Sequence, residues 1–456
     1  MSRFRLTDRK TAYLLPPSVE DWLPEDHLAR FILEAIEKLD LGQLTRAYAG
    51  RGSAAYHPEV LLSLLVYGYA TGVFSSRRIE RATYDSLAFR YLAAGSHPDH
   101  DTLATFRRRF LGELSGIFLQ VLELAGEMKL LKLGNVSLDG TKIHANASRH
   151  SALSHGHIEK LETQLKAEVQ ELLALAEKAD QADIPDGVSL PDEIKRREDR
   201  LAVMEAAKVK IEARAKVRFD VEQAAYEEKL AKREAQAATG KNPGGKPPRP
   251  PVEGPCASDQ INLTDEESRI MKVAGGGFEQ CYNAQAAVDV ETMLVVGSQL
   301  TQAANDKQQV IPMLEPLQAL PDTLGKVERL IADCGYCSEK NLAACEAAGV
   351  DPLIALARED HHPDVKDRFT EPAPIGADAA PKERMAHMLK TKLGRMLYAL
   401  RKQTVEPVFG IIKSVMGFRQ FLLRGLEKVT GEWQLVCLAW NLKRMAVLRQ
   451  QSVQYG

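Results

Sequence analysis

The period of the apolar pattern changes twice along this chain, and the second change restricts the fold most. In LGNVSLDGTKIHANA, residues 133–147, apolar and polar positions alternate. Val136 and Leu138 face one way and Ser137, Asp139 and Thr141 the other, as in a β-strand. From about His157 to Gln236 a charged pattern takes over, with apolar residues every three to four positions and a break at Pro185, Gly187 and Pro191. Two antiparallel helices forming a coiled-coil-like arm fit this tract. TGKNPGGKPPRPPVEGP then reads as a flexible linker. Strand signals resume only with CYNAQAAVDVET and MLVVGSQLTQ, which pair as a hairpin turning at Asp289 to Thr292. The sheet must therefore take one strand from before the insertion and the rest from after it.

The flanking regions extend this outline. Residues from about Pro24 to Met128 read as helical: HLARFILEAIEKL, with Glu25 or Asp26 serving its first turn, then HPEVLLSLLVYGYATG ended by Gly72. SSRRIERATYDSLAFRYLAAG reads as helix, turn and helix closed by Gly95, and PDHDTLATFRRRFLGELSGIFLQVLELAGEM begins with a capping Asp or Thr and continues amphipathically. After the hairpin come a helix (DKQQVIPMLEPLQAL), a strand (VERLIADCG), a helix (SEKNLAACEAAG) and a strand (DPLIALAR). A polar stretch runs to Ala380, and Pro381 to Gln450 is mostly helix. The expected fold is α/β, a mixed sheet interrupted by a long helical insertion and preceded by an all-helical N-terminal domain. The expected divisions are 1–130, 131–155 (first core strand), 156–260 (insertion and linker) and 261–456 (remaining core and C-terminal helices). A chain of 456 residues suits two or three domains.

No apolar leader or membrane-spanning segment is evident, so a cytoplasmic protein without membrane association is expected. Six cysteines over this length suggest reduced thiols. The net charge of −2 argues against a uniformly basic nucleic-acid binder. The charge is uneven, however: Pro381 to Lys428 carries eleven lysines and arginines against three glutamates. Such a block suits a phosphodiester backbone; a solvated helical face is the plainer reading.

Three acidic residues occupy comparable places. Asp139 lies on the first strand, Asp333 ends LIAD where an α/β sheet presents residues to its active edge, and Glu406 lies in YALRKQTVEPVFGIIK. Glu406 and Lys413 are two helical turns apart and should share a face. Each has a bland reading: an Asp-Gly turn for Asp139, a helix cap for Asp333, a first-turn cap for Glu406. Converging from two strands and a helix, they would make an oxygen-rich site for two Mg²⁺ or Mn²⁺ ions serving in-line phosphoryl transfer.

SLDGTKIHANAS, IADCGYCSEKNL and the long block from Tyr398 to Met445 resemble the three catalytic blocks of DDE transposases of bacterial insertion sequences. The resemblance extends into the N-terminal helices. It implies an RNase H-like core with Asp139, Asp333 and Glu406 as catalytic residues and metal ligands. It also implies metal-dependent cleavage and strand transfer on DNA by an enzyme without a nucleotide cofactor. A Tyr–Arg–Glu–Lys signature in that family is matched by Tyr398, Arg401, Glu406 and Lys413, with one extra residue between arginine and glutamate. Either Arg401 or Lys402 could therefore play the basic role. Tyr398, the basic residue and Lys413 would then position DNA. The implied partners are terminal inverted repeats, target DNA and a second copy of the chain in a homodimer.

SSRRIERATYDSLAFRYL could be a helix-turn-helix with Arg77, Arg78, Arg81 and Arg90 on DNA, and Arg107, Arg108 and Arg109 adding to that surface. Cys334 and Cys337 have redox-dithiol spacing but no second pair, and the His155/His157, His361/His362 and His97/His100 pairs lack zinc-finger spacing. His144 is a candidate to line the site, and equally a partly exposed strand residue. A catalytically inactive relative that only binds DNA ends is the alternative function.

Overall fold

The structure is a computed structural model that describes residues 18–48, 55–179, 190–239, 246–357, 370–376 and 378–455. Pro185, Gly187, residues 240–245 of the linker, His361 and His362 lie outside the described residues. The chain divides into two compact units: one of residues 1–146, 271–277 and 281–456, the other of residues 147–270 and 278–280.

Among the described residues of the larger unit seven α-helices precede the sheet: α1 (Leu28–Glu37), α2 (Gly42–Arg46), α3 (Pro58–Thr71), α4 (Ser76–Asp85), α5 (Leu87–Leu92), α6 (His100–Arg109) and α7 (Leu114–Glu127). The caps were only partly legible. His27, rather than Glu25 or Asp26, caps α1, its Nδ1 accepting the Ala29 N–H at 3.1 Å. A ring nitrogen accepts only when the imidazole is neutral; burial lowers the pKa of His27 in keeping with that. Asp99 caps α6 through the Thr102 N–H, and Gly72 ends α3 in the left-handed region at φ 84°.

The sheet contains β1 (Leu133–His144), β4 (Arg269–Lys272), β5 (Phe278–Asp289), β6 (Val295–Thr301), β7 (Gly325–Ala332) and β8 (Asp351–Ile354), in the order β4-β5-β1-β7-β8 with β6 also on β5. β1 is antiparallel to β5 and parallel to β7, and β8 continues the parallel side. Two short crossover helices, α10 (Val310–Gln318) and α11 (Glu339–Ala347), precede β7 and β8, as parallel pairing requires. The 289–292 hairpin turn is present: Asp289 accepts from both the Thr292 N–H and hydroxyl.

Three C-terminal helices complete the unit: α12 (Pro381–Lys390), α13 (Lys392–Gly410) and α14 (Leu426–Tyr455). α14 is buried over most of its middle and is correspondingly apolar on several sides. It also closes an exposed strand edge with side chains. Asn441 donates to the Val295 carbonyl at 2.8 Å and accepts the Val295 N–H at 2.8 Å, replacing a missing strand neighbour. Trp433 Nε1 donates to the Gln285 carbonyl and Trp440 Nε1 to that of Met293. Glu432, fully buried, accepts from the Tyr69 hydroxyl at 2.7 Å and from the Leu422 and Leu423 N–H groups at 3.0 and 2.9 Å. Arg107 donates to the same hydroxyl at 3.0 Å, joining α6, α3 and α14.

The smaller unit holds α8 (His155–Ala179), α9 (Leu190–Ala238) and a two-stranded sheet of β2 (Ala152–Ser154) and β3 (Gln260–Asn262). The helices are antiparallel, since Glu162 pairs with Lys208 while Glu168 pairs with Arg197. Ile158, Leu165, Met204, Ala207, Ile211 and Ile261 form its core. β2 and β3, together with β4 of the main sheet, were not anticipated; three or four residues carry too little alternation to register as strands. The described part of the linker is tied down rather than free, since Arg218 donates to the Gly254 carbonyl at 3.0 Å and to Asp259 at 2.7 Å.

Among the described residues, no single helix is long and apolar enough to cross a membrane. The Glu432 network yields a stability prediction. Glu432→Ala would leave two amides and a hydroxyl without their acceptor and the buried Arg107 without a nearby opposite charge, at a cost of about 3–5 kcal/mol. Urea unfolding is the check, with Glu432→Gln expected to lose less because one acceptor survives.

Candidate active site

Strand pairing determines where Asp139 and Asp333 lie. Ser137 is opposite Ile331 in the parallel β1–β7 ladder, so two residues further on each strand Asp139 comes level with Asp333 on the same face. β7 ends at Ala332, and Asp333 Oδ1 accepts the Gly335 N–H at 2.8 Å, capping the turn Cys334–Tyr336. The cap reading and the site reading of Asp333 are thus compatible. One oxygen holds the turn while the residue stays beside Asp139.

Asp139 accepts the N–H of Gly140 on Oδ1 at 2.8 Å and the Arg401 Nη1 on Oδ2 at 3.2 Å. The Nη2 of Arg401 lies 3.0 Å from Glu406 Oε1. One guanidinium therefore bridges a carboxylate of the central strand and a carboxylate of α13. Its side chain is 10% exposed, against 48% for Glu406, and its Nε is buried without a partner. The neighbouring Lys402 is exposed. The spacing left two candidates for the basic position; the geometry puts Arg401 at the carboxylates and turns Lys402 outward.

Burial pushes the Asp139 carboxyl up to about 6. The Gly140 amide and Arg401 oppose that rise, while the charges of Asp333 and Asp306 add to it. A desolvated carboxylate beside two others requires positive charge to remain ionised at neutral pH. Arg401 supplies part of it.

Tyr398 packs against the Ile331, Leu353 and Leu397 cluster on the α13 face of the sheet. Lys413 was expected on one face with Glu406. Between them the helix passes into a π turn at Ile411–Val415, in which the Met416 N–H donates to the Ile411 carbonyl at 2.9 Å. Lys413 reaches β1 there, donating to Thr141 Oγ1 at 2.5 Å and the Lys142 carbonyl at 2.8 Å. Burial lowers its pKa. Lys413 thus clamps β1 just beyond Asp139.

Several expectations need correction. His144 does not line the site: it is exposed, and its strand parity is opposite to that of Asp139. Only Ser86, in extended conformation, separates α4 from α5, whereas a helix-turn-helix needs a turn of three or four residues. Arg77 and Arg78 are exposed on α4, and Arg81 is exposed but 3.1 Å from Asp85. Arg107 is buried in the Glu432 network, Arg90 stacks over Trp22, and Arg109 stacks over Tyr48; only Arg108 of the 107–109 run is exposed and free of such stacking. Cys334 and Cys337 are free thiols, and burial pushes the Cys337 thiol up, away from the thiolate a redox pair uses.

Asp306 and its neighbours were missed. It lies in the loop between β6 and α10, where no periodic signal operates. Its Oδ1 accepts from Asn283 Nδ2 at 2.6 Å and Gln285 Nε2 at 2.7 Å.

The donor set of Asp139, Asp333 and Glu406 is all carboxylate oxygen, which suits a hard divalent cation. Among the described residues no three His, Cys, Asp or Glu side chains are gathered closely enough to hold a metal ion. Arg401 is the cation between Asp139 and Glu406.

The family described as "Transposase DDE domain" matches residues 251–442, and that described as "Transposase domain (DUF772)" matches residues 17–109. Together these define a mobile-element enzyme of the nuclease and transposase class. The chain belongs to the DDE-type transposases of insertion sequences. Neither the curated proteins nor the solved structures include a significant match.

The raised Asp139 pKa sets a sign. Its folded value near 6 exceeds that of an unfolded carboxylate, so the group favours folding at low pH, and this contribution is lost as pH rises towards and through 6. Between about pH 4 and pH 7, metal-free wild type should lose roughly 1–3 kcal/mol relative to Asp139→Asn. Urea unfolding of both proteins across that range measures the difference, and parallel curves would show that Asp139 titrates normally.

Proposed function

We propose that this transposase cleaves DNA at the ends of its element and transfers the freed strand to target DNA, using divalent metal ions at Asp139, Asp333 and Glu406. The observation that carries this reading is the Asp139–Arg401–Glu406 bridge with Asp333 level with Asp139 on the neighbouring strand. The strand order supports an RNase H-like core: three antiparallel strands, β6-β5-β1, continued by the parallel β7 and β8.

The carboxylates fit Mg²⁺ or Mn²⁺ by donor type, and three of them stand against the one guanidinium that pairs with Asp139 and Glu406. When bound, such ions would activate the attacking oxygen and stabilise the leaving one in an in-line displacement. The chain's own residues do the rest. Lys413 holds β1 in register behind Asp139, and the Asp333 cap keeps the following turn in place. Arg401 offsets part of the charge of Asp139 and Glu406 in the metal-free protein and would become available to a DNA phosphate once another cation took over that role. Tyr398 lies on the same face, where it would flank the DNA end. Arg77, Arg78 and Lys402 are exposed cations suited to phosphate contacts, and such binding should weaken steeply with salt. The charged α8–α9 pair would serve synapsis or dimerisation, in a homodimer that acts in the cytoplasm on inverted repeats.

Alanine at Asp333 should reduce Mg²⁺-dependent cleavage of an end-bearing duplex by at least about 10³-fold, while end binding in a gel-shift assay stays within a few-fold. Full cleavage by that variant would refute the assignment. Cleavage absent in wild type as well, with binding intact, would favour an inactive end-binding relative. Arg401→Ala should strengthen Mn²⁺ binding to the DNA-free protein by calorimetry, by removing a competing cation, yet slow cleavage about 10–100-fold.

A further inference from the structure

We propose that Asp306 is a positioning residue that holds the strand carrying Asp139 and the turn carrying Asp333 in one arrangement; this rests on the proposed catalytic role of those two carboxylates. Nothing in the site chemistry described so far uses Asp306, although its charge reaches Asp139.

The argument starts from Gly140. A Cβ built there would come within 2.1 Å of Gln285 Nε2, 2.6 Å of Asp306 Oδ1 and 2.9 Å of Asn283 Oδ1. A side chain after Asp139 would therefore have to displace a polar cluster that lies flush against the opposite face of β1. The strand ladder explains the fit: Gly140 is opposite Gln285 and Lys142 opposite Asn283, so all four share a face. Asp306 covers them from the loop after β6. Its Oδ1 takes both amides, at 2.6 and 2.7 Å, and lies 3.7 Å from Lys142 Nζ.

This carboxylate also sets the orientation of Gln285. With Nε2 committed to Asp306, Oε1 must face the other way, where it accepts the Tyr336 hydroxyl at 2.5 Å. Tyr336 is fully buried and closes the turn that Asp333 opens. Asn341 adds a second tie, donating to the Lys307 and Tyr336 carbonyls at 2.8 and 2.7 Å. A continuous chain, Asp306 to Gln285 to Tyr336, thus connects the backbone beside Asp139 with the turn beside Asp333. Asn283 and Gln285 are both fully buried, and Asn283 Oδ1 has no partner. The cluster has little slack: an amide flip or loss of its acceptor would leave buried polar groups unpaired. Only an acceptor at 306 allows one oxygen to take both amides.

The test uses the full-length protein and three variants: Asp306→Ala, Asp306→Asn and Tyr336→Phe. Asp306→Ala should slow single-turnover cleavage of an end-bearing duplex by about 10–100-fold and weaken Mn²⁺ binding to the DNA-free protein by a similar factor. Asp306→Asn retains an acceptor oxygen and should recover most of both losses. Tyr336→Phe cuts only the link to the Asp333 turn and should show the same pattern more mildly, with end binding near wild type and a melting temperature lowered by the unpaired Gln285 Oε1. Wild-type Mn²⁺ binding and cleavage in both Asp306→Ala and Tyr336→Phe would overturn the inference. If Asp306→Ala fails to fold, Tyr336→Phe decides alone. Asp333→Ala separates the two ideas. Cleavage by that variant defeats the catalytic reading, whereas its inactivity beside fully active Asp306→Ala and Tyr336→Phe defeats only the role given to Asp306.

Discussion

β1 is paired on both edges, antiparallel to β5 and parallel to β7, and the rest of the structure depends on that double pairing. It is the strand farthest in sequence from its neighbours, yet it sits in the middle of the sheet. Val136, Leu138 and Ile143 are fully buried on it, each worth on the order of 1.5–3 kcal/mol against exposure. That burial offsets the closure entropy of the long insertion, which grows only with the logarithm of length. The parallel partner brings Asp333 level with Asp139. The antiparallel partner brings Gln285 and Asn283 over Gly140. One strand thereby presents a carboxylate on one face and a glycine-backed polar cluster on the other.

Charge balance around this strand follows from the same burial. Asp139 is desolvated and has carboxylates nearby, so cations are drawn towards β1: Arg401 to its side chain, Lys413 to the Lys142 carbonyl and the Thr141 hydroxyl, and Lys142 itself towards Asp306. Each cation loses solvation to be there, and burial lowers the pKa of both lysines. An arrangement of this kind is poorly suited to stability alone, because buried ion pairs seldom recover their full desolvation cost. It suits a site that exchanges one cation for another during its work.

Much of this organisation was legible in the residues. The period-two run around Asp139, the helical period of the charged tract and the 289–292 turn depend on local alternation and turn chemistry, and they appear where the patterns put them. Missing were features with no local signature. β2, β3 and β4 are too short to alternate. His27 caps a helix by a ring nitrogen, a role usually taken by Ser, Thr, Asp or Asn. Arg107 looked like a surface cation within an arginine run, yet the fold buries it on Tyr69. Asp306 lies in a loop, and its partners come from a strand about twenty residues earlier.

The sequence by itself determined the longer strands and helices and the single interruption of the core, and its resemblance to DDE transposases singled out three carboxylates. The elements follow from periodicity and residue type, which act over a few neighbouring positions. Only the tertiary structure decided that Arg401 rather than Lys402 bridges Asp139 and Glu406, that a π turn carries Lys413 to β1, and that a polar cluster lies flush against Gly140. Each of these depends on strand register and side-chain direction between residues far apart in the chain, and a one-residue shift of register would have reversed every face.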